Sequence, residues 1–338
     1  MAKWVIFTDF HSHDFKSYNK GPISRLDIGL EILKKIYAHA DKIGAAGILF
    51  GGDWFDSPKL LPTIVVNRNT EVILQLSKEY PQLACLAISG NHDQSSKNLL
   101  HKPAVTALTY LEEIAPNNFK IIDDKTFTLG DLCISGIPYY EFKEDYHQRL
   151  KERHDKIMDK PRPGVYKVLL IHQTPSGMGN PNIPVDTDVN DPLYDAWDDV
   201  FCGHIHSRIE ITPKFTLVGN THHRDLGDAG SEKGFYVIDT ESKSKEFVSL
   251  KGQYPEYIRQ RVKIGESVTD DGYNYYVPHY ITGDADVENN PEGLINTENF
   301  EVDLSPDKLI ENYCKEVAPG DEELLKVGLE CLKLKIEE

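Results

Sequence analysis

Residues 47–56 read GILFGGDWFD, an apolar run that ends abruptly in two glycines followed by two aspartates. The run Gly47–Phe50 has the length and composition of a buried strand. In an open α/β sheet, ligands bind at the carboxyl ends of the strands, where Asp53 and Asp56 would lie. Both aspartates are therefore candidate site residues, provided that other strands of the chain end in the same way.

Four more polar clusters directly follow apolar runs. They are Asp9-Phe-His11, Gly90-Asn91-His92-Asp93, the single His172, and Gly203-His204-Ile-His206. One Asp-x-His or one histidine is weak evidence, because such short patterns arise by chance. Five clusters in the same strand-end context are hard to explain by structure alone.

The residue types in these clusters are metal donors. Neutral imidazoles with carboxylates and an amide oxygen suit manganese, iron or zinc better than calcium or magnesium. Two divalent ions roughly 3.5–4 Å apart can hold the attacking and leaving oxygens of a phosphoryl displacement. His204 and His206 alternate at a strand end, so both imidazoles point to the same side. The pattern predicts a two-metal site that acts on a phosphate ester.

The bulk composition is that of a globular protein. At 338 residues, a prior of roughly 150 residues per domain suggests about two domains. The five cysteines are scattered without a CxxC pair, which argues against a disulfide framework and against a thiolate zinc site. The sequence has neither the pattern of a signal peptide nor the roughly 18 apolar residues of a membrane span. We expect a soluble cytosolic protein, located in the host-cell cytoplasm if the chain is phage-encoded.

The net charge of −17 argues against a simple electrostatic nucleic-acid binder. Phosphate affinity normally comes from lysine and arginine side chains that release counterions. Bound divalent cations invert the local field, however, and they require acidic ligands. A metal enzyme that acts on phosphates therefore stays compatible with the charge, and a partner protein could supply a basic surface.

Short apolar runs alternate with helical patterns up to about residue 250, which predicts a mixed α/β domain. Helices are predicted over Ser24–Ile43, Thr63–Leu76 and Pro103–Ile114. Residues 251–300 are polar and lack a clear period. The last segment, residues 301–338, has caps and apolar spacing typical of two helices.

The order D-x-H, GGDxFD, GNHD, H and GHxH resembles the signature of the calcineurin-like metallophosphoesterase superfamily. Within it, GGDWFDSP (51–58), GIPYY (136–140) and the segment that leads to KGF (233–235) are most similar to SbcD-type nuclease subunits, including those of bacteriophages. The likeness covers about residues 3–250. It implies a four-layer αββα sandwich, with a nuclease domain in 1–250, a small polar module or reduced capping region in 251–300, and a helical partner-binding segment in 301–338.

The resemblance also implies a set of metal ligands and catalytic residues. One metal would take Asp9, His11, Asp53 and His206, and the other would take Asp53, Asn91, His172 and His204. Two Mn²⁺ ions are expected, with Fe²⁺ or Zn²⁺ as alternatives. His92 would stabilise or protonate the leaving 3′ oxygen and Asp93 would orient His92.

Other side chains are assigned to the surroundings of the metals. Asp56 is expected to hydrogen-bond a ligand and His13 to be solvated or to stand behind the ligands. His101, Arg224 and Tyr139 are candidates for substrate contacts, although ordinary packing explains each of them as well.

The resemblance implies a DNA exonuclease and endonuclease that works in end processing, recombination or repair with an SbcC-type SMC-like ATPase, and it leaves room for a homodimer. A small-molecule or nucleotide phosphodiesterase or phosphatase with the same site is the alternative. A catalytically idle scaffold is a third reading, against which the complete ligand set argues.

Overall fold

The computed structural model describes residues 2–16, 24–57, 60–176, 178, 187–263, 267–268 and 271–281. Helices and strands alternate along most of this range. In chain order they are β1 (Lys3–Phe7), α1 (Arg25–Lys42), β2 (Ala45–Phe50), α2 (Thr63–Glu79), β3 (Cys85–Ala87), α3 (Leu108–Ile114), β4 (Phe119–Ile121), β5 (Lys125–Leu129), β6 (Leu132–Ile137), α4 (Lys143–Asp159), β7 (Tyr166–His172), β8 (Asp199–Gly203), β9 (Ile209–Glu210), β10 (Phe215–Leu217), β11 (Gly234–Asp239), β12 (Ser244–Ser249), β13 (Tyr257–Lys263) and β14 (Tyr275–Ile281).

The strands build two six-stranded mixed sheets. The first has the order β12-β11-β1-β2-β3-β4 and the second has the order β5-β6-β7-β8-β10-β9. Strands β1 to β4 pair in parallel, as do β6, β7, β8 and β10, whereas β5, β9, β11 and β12 pair antiparallel with their neighbours. The parallel centre of each sheet makes its strand ends meet at one edge.

Three hydrophobic cores separate four layers. In β1, Val5 and Phe7 pack into the core under α1, α2 and α3. Trp4 and Ile6 face the other way, into the core between the two sheets. This alternation follows from the two-residue period of a strand. The third core packs α4 against the far face of the second sheet. The predicted αββα sandwich is confirmed.

Helix α4 was absent from the predicted elements, although its sequence contains a usable signal. Tyr146, Leu150 and Ile157 are its buried residues, at spacings of four and seven. This spacing places them on one face of a helix. The intervening residues are almost all charged or polar, so the segment as a whole has the composition of an exposed loop.

The predicted polar module of residues 251–300 is described only in part. Within it, β13 and β14 pair in parallel as a separate two-stranded sheet. The predicted helices of residues 301–338 lie outside the described residues, and the proposed domain boundaries stay predictions. Among the helices described here, none is both long and apolar enough to cross a membrane.

Candidate metal centre

The five polar clusters follow strands from both sheets. Asp9, Asp53 and Asn91 come shortly after β1, β2 and β3, His172 ends β7, and His204 follows β8. These are the parallel strands at the centres of the two sheets, so their carboxyl ends lie on the same side. The structure brings all seven predicted metal ligands to this edge.

A first group consists of Asp9, His11 and His206. The Nε2 atoms of the two histidines are 3.0 Å apart, and Asp9 Oδ1 lies 3.9 Å from each of them. Asp9 and His11 are buried, whereas His206 is partly exposed. The three side chains are close enough to hold one metal ion.

A second group consists of Asp53, Asn91, His172 and His204. Asn91 Oδ1 lies 3.1 Å from His172 Nε2 and 2.8 Å from His204 Nδ1. His172 Nε2 is also 3.2 Å from Asp53 Oδ2. Four potential donor atoms therefore converge on a second point.

Asp53 faces both groups with the same atom. Its Oδ2 lies 3.2 Å from His172 Nε2 in the second group and 3.6 Å from His11 Nε2 in the first. Its Oδ1 accepts a hydrogen bond from the backbone N–H of His92, at 2.8 Å. The carboxylate is thus oriented with one oxygen between the groups, as a shared ligand requires.

Backbone groups orient the other donors. His172 Nδ1 donates to the carbonyl of Gly51 at 2.7 Å, which directs Nε2 towards the other donors of the second group. Asp9 accepts from the backbone N–H of His204, at 3.0 Å to Oδ1, and from the hydroxyl of Thr8. The loops that carry the ligands therefore also hold one another in place.

The backbone at the site is strained. Asp9, His11, Asp53 and His204 all have positive φ, with values of 51°, 46°, 62° and 87°. Such conformations each cost on the order of 1–3 kcal/mol in non-glycine residues and cluster at functional sites. Gly90 shows how closely the loops approach, because a Cβ there would stand 2.1 Å from Asp53 Oδ1.

The protonation states suit metal binding. Burial and the neighbouring His172 lower the pKa of His204 to about 4, and burial lowers the pKa of His206, so both imidazoles are neutral at pH 7. Although burial opposes ionisation of Asp53, His172 and His11 hold its pKa below the usual range. Burial alone would lower the pKa of His172, but Asp53 raises it to about 9. A proton on His172 thus balances Asp53 in the metal-free protein.

The two groups fit divalent metal ions in donor type, and three of their donor–donor distances match those around one ion. At metal–ligand distances of about 2.1 Å, neighbouring donor atoms stand roughly 3.0–3.4 Å apart. The pairs His11–His206, Asn91–His172 and Asp53–His172 fall in that range, at 3.0, 3.1 and 3.2 Å. Mixed imidazole, carboxylate and amide donors are those of a transition-metal site.

The structure gives His92 a different partner from the predicted one. His92 Nδ1 lies 2.6 Å from the backbone carbonyl of Asp56. Asp93 instead accepts four backbone N–H groups, those of Asp53, Trp54, Phe55 and Gly90, at 2.8–3.1 Å. Because those amides occupy both of its oxygens, Asp93 braces two ligand loops and does not orient His92.

Asp56 contacts a ligand and also pairs with a cation. Its Oδ1 lies 3.3 Å from His11 Nδ1 and 2.8 Å from Arg224 Nη2. Asp56 thus stands behind His11, in the position that the sequence suggested. The pair places Arg224, one of the three predicted substrate contacts, beside the first group.

The other two predicted substrate contacts differ in position. The Tyr139 ring lies 5.6 Å from the ring of His204, at an angle of 30°, at the edge of the second group. His101 lies on an exposed turn next to Leu100, which hydrogen-bonds to Asp145 and Arg149 of α4. In the described part of the chain, no contact joins His101 to the metal groups.

Two charged residues for which the sequence predicts no role lie next to this site. Lys233 and Asp228 are buried and paired, with 2.6 Å between Nζ and Oδ1. Lys233 opens the KGF segment, which carried part of the family resemblance. The segment indicates the family, but its local sequence does not predict that Lys233 contacts Asp228.

The sequence matches one family model and one characterised relative. The model of a family described as calcineurin-like phosphoesterase matches residues 2–208. Exonuclease subunit 1 of enterobacteria phage T4 is 22% identical over 222 residues, which cover 65% of this chain and 61% of the phage protein. The similarity therefore spans less than two thirds of that relative's length.

A comparison of structures finds the same architecture. A dimetal phosphatase from Danio rerio superposes with a TM-score of 0.50 and 9% sequence identity, over 73% of this chain and 95% of the phosphatase. At this identity the likeness concerns the fold alone.

Proposed function

This chain belongs to the calcineurin-like phosphoesterase family, and we propose that it is a two-metal phosphodiesterase that cleaves DNA in end processing, recombination or repair. The family is one of metal-dependent hydrolases, and the clustered histidines and aspartates are groups that can hold divalent metal. Mn²⁺ is the proposed metal at both positions.

The observation that supports a two-metal reaction is the position of Asp53. One of its oxygens lies within 3.6 Å of an imidazole nitrogen from each group. Two bound divalent ions would supply positive charge that stabilises both the attacking and the leaving oxygen of a phosphate ester. Asp9, His11 and His206 would hold one ion, Asn91, His172 and His204 the other, and Asp53 both.

His92 is proposed as the group that assists the leaving oxygen. The carbonyl of Asp56 accepts from His92 Nδ1, so the proton on that nitrogen is fixed and Nε2 is left for the substrate. The ring of His92 stands edge-on to that of His11, 4.9 Å away. When Nε2 is protonated, it can deliver that proton to the departing 3′ oxygen, a contribution of typically 10²–10⁴-fold in rate.

Arg224 and Tyr139 are proposed to position the substrate from two sides. The Arg224 side chain is 25% exposed and its guanidinium is oriented by Asp56, which leaves donors for a phosphoryl oxygen. Tyr139 lies beside His204, where its ring can stack on a base. His101 stays a proposed contact for DNA farther from the metals.

DNA as the substrate and an SbcC-type ATPase as the partner are supported by the similarity to a phage exonuclease subunit. The net charge of −17 gives this proposal a physical reason for a partner, because the chain alone has little basic surface for the DNA backbone. A second proposal, hydrolysis of small nucleotides or other small phosphate esters, is favoured by the same acidic charge.

A cleavage assay with Mn²⁺ distinguishes these proposals. Linear duplex DNA, with and without the candidate ATPase, is compared with small nucleotide diesters and monoesters. We expect turnover of duplex ends that increases with the ATPase. Turnover confined to the small esters would reject the DNA proposal and support the second one.

The His92→Gln variant tests the assignment of the leaving-group residue in the same assay. It should bind Mn²⁺ like the wild type, yet cleave at least 10²-fold more slowly, because Gln cannot deliver a proton. Normal cleavage by this variant would show that His92 has no such role.

A further inference from the structure

Lys233 is a lysine that is almost completely buried next to the metal groups. Its side chain is 1% exposed. The ammonium donates to the backbone carbonyl of His206 at 2.9 Å and to Asp228 Oδ1 at 2.6 Å. A lysine is rarely buried to this extent unless its charge is paired. Here Asp228 pairs the charge, and the other acceptor, the carbonyl of His206, belongs to a proposed metal ligand.

Asp228 completes a small buried network. Its Oδ2 accepts from the backbone N–H of Arg224 at 2.8 Å and from Asn220 Nδ2 at 2.9 Å. The backbone N–H of Asn220 in turn donates to the His206 carbonyl at 3.3 Å. The carbonyl of His206 is thus held from two sides, and both holding groups belong to the same network.

The network contacts one residue of the first group and one residue beside it. It fixes the backbone of His206, whose imidazole faces His11, and the backbone of Arg224, whose guanidinium pairs with Asp56. Although burial opposes ionisation of Asp228, Lys233 and the N–H of Arg224 lower its pKa to about 2.

A buried ion pair of this kind contributes little net stability, because the cost of removing two charges from water offsets most of their attraction. It does impose a defined geometry on the groups that satisfy it. We propose that Lys233 is a positioning residue. Together with Asp228 it fixes the backbone of the proposed metal ligand His206 relative to the backbone of Arg224, the proposed phosphate contact. This inference rests on the proposed two-metal site and adds a residue to it.

Binding of Mn²⁺ to the full-length protein, followed by electron paramagnetic resonance, tests the proposal without relying on activity. Lys233→Met keeps an unbranched side chain one heavy atom shorter and removes the charge and the hydrogen-bond donors. We expect the affinity for one of the two Mn²⁺ ions to fall by roughly 10–100-fold, the usual effect of losing a residue that orients a metal ligand. The affinity for the other ion should stay within about twofold of the wild type.

The matched control is Lys245→Met. Lys245 also donates to an aspartate, Asp199 at 2.7 Å, and to a backbone carbonyl, that of Pro213 at 2.6 Å. Its side chain is 13% exposed, and neither acceptor belongs to the metal groups. This variant should bind both ions like the wild type. An equal loss of Mn²⁺ affinity in both variants would reduce the effect to general destabilisation and overturn the proposal.

A double variant distinguishes an effect on the position of His206 from an effect on the stability of the fold. In Lys233→Met, Asp228 is left buried without its cation, so the thermal stability of the metal-free protein should fall. Adding Asp228→Asn should restore part of that stability while the weak Mn²⁺ site stays weak. Recovery of the affinity in parallel with the stability, or unchanged binding by Lys233→Met, would overturn the proposal.

Mn²⁺ binding and DNA cleavage by the wild-type protein show separately whether this inference or the proposed function fails. A wild-type protein that binds two Mn²⁺ ions but does not cleave DNA would reject the DNA proposal and leave the Lys233 comparison valid. A wild-type protein that binds no Mn²⁺ would overturn the metal site and this inference together.

Discussion

His11 and His13 are separated by one residue, yet the structure gives them different surroundings. His11 Nε2 lies 3.0 Å from His206 Nε2 and 3.6 Å from Asp53, among the proposed metal ligands. His13 Nδ1 accepts the backbone N–H of Phe15, and its ring stacks on that of Phe15 at 4.5 Å. His13 is 5% exposed, so it is buried rather than solvated. At the residue scale, position relative to the strand end decides which of the two histidines joins the proposed metal ligands.

The pair provides a matched test of the ligand assignment. His11→Ala should remove one Mn²⁺ and reduce cleavage at least 10²-fold, because it deletes a donor of the first group. His13→Ala should keep both ions and most of the activity, since its ring faces Phe15. Metal content and turnover, measured for both variants, check the assignment, and loss of an ion in His13→Ala alone would reverse it.

The pH dependence of metal binding should follow His172. Asp53 raises the pKa of His172 to about 9, above the ordinary value of 6.5, so the metal-free protein has a proton at this position at pH 7. A metal must displace that proton. Mn²⁺ affinity at the second group should therefore rise as the pH increases from 7 towards 9, and the ion that binds there at pH 7 should release about one proton. Calorimetry in buffers of different ionisation enthalpy measures this number, and pH-independent affinity over that range would contradict the expectation.

The same proton affects the stability of the metal-free fold. Because the pKa of His172 is higher in the folded protein than in the unfolded chain, its contribution to stability is fully present below about pH 6.5 and is lost as the pH rises through about 9. Binding of a metal in place of the proton should remove this dependence.

At the scale of elements, the strands explain where the site lies and the loops explain its detail. The strands end together because their parallel pairing aligns β1, β2 and β3 in one sheet and β6, β7 and β8 in the other. The loops after them must then turn within a few residues and approach one another closely. This is where the positive φ angles of the ligand positions are found.

Gly52 and Gly44 provide a paired test of that close approach. Both have positive φ, at 97° and 65°, so alanine would be strained at either position by about 1–2 kcal/mol. A Cβ at Gly44 meets nothing within 4 Å, whereas one at Gly52 would stand 2.5 Å from His172 Nδ1 and 2.8 Å from the N atom of Gly90.

Gly44→Ala should therefore lose only stability and keep normal Mn²⁺ binding. Gly52→Ala should also weaken Mn²⁺ binding at the second group by at least 10-fold, because the new methyl group displaces His172. Thermal unfolding and metal titration of both variants give the two quantities, and equal Mn²⁺ affinities would show that the loops can relax.

At the scale of the whole molecule, the metal groups connect the two sheets. Asp9 and Asp53 follow strands of the first sheet, while His172 and His204 come from the second. Each proposed ion would thus be bound by residues of both sheets, across the top of the core that lies between them. A bound metal should therefore stabilise the sandwich as well as serve the reaction.

Mn²⁺ should raise the unfolding temperature of the protein. At a free concentration 100 times the dissociation constant, a ligand that binds only the folded state adds about 2.7 kcal/mol per site. For a domain of this size we expect a rise of several degrees in differential scanning calorimetry. The double variant His11→Ala/His172→Ala, which lacks a donor in each group, should show little rise, and an equal rise in that variant would place the stabilising ions elsewhere.

Much of this architecture could be predicted from the sequence, because the signals are local. The apolar run Gly47–Phe50 became β2 with two residues added at its start, since a strand buried on both faces is apolar at nearly every position. The seven proposed donors could be placed at strand ends because each lies within a few residues of such a run. Helix α4 is not predicted, because only three apolar residues mark its buried face in a strongly charged segment.

By itself, the sequence determined the alternation of strands and helices, the strand-end positions of the proposed metal donors and the family, because each of these depends on residues that are neighbours in the chain. Only the tertiary structure decided which partners those side chains have. Asp93 braces backbone amides 38 to 40 residues away, Lys233 holds the carbonyl of His206, and Asp56 pairs with Arg224. The physical reason is that a hydrogen bond or ion pair depends on distances of about 3 Å between groups far apart in sequence, and packing of the two sheets sets those distances.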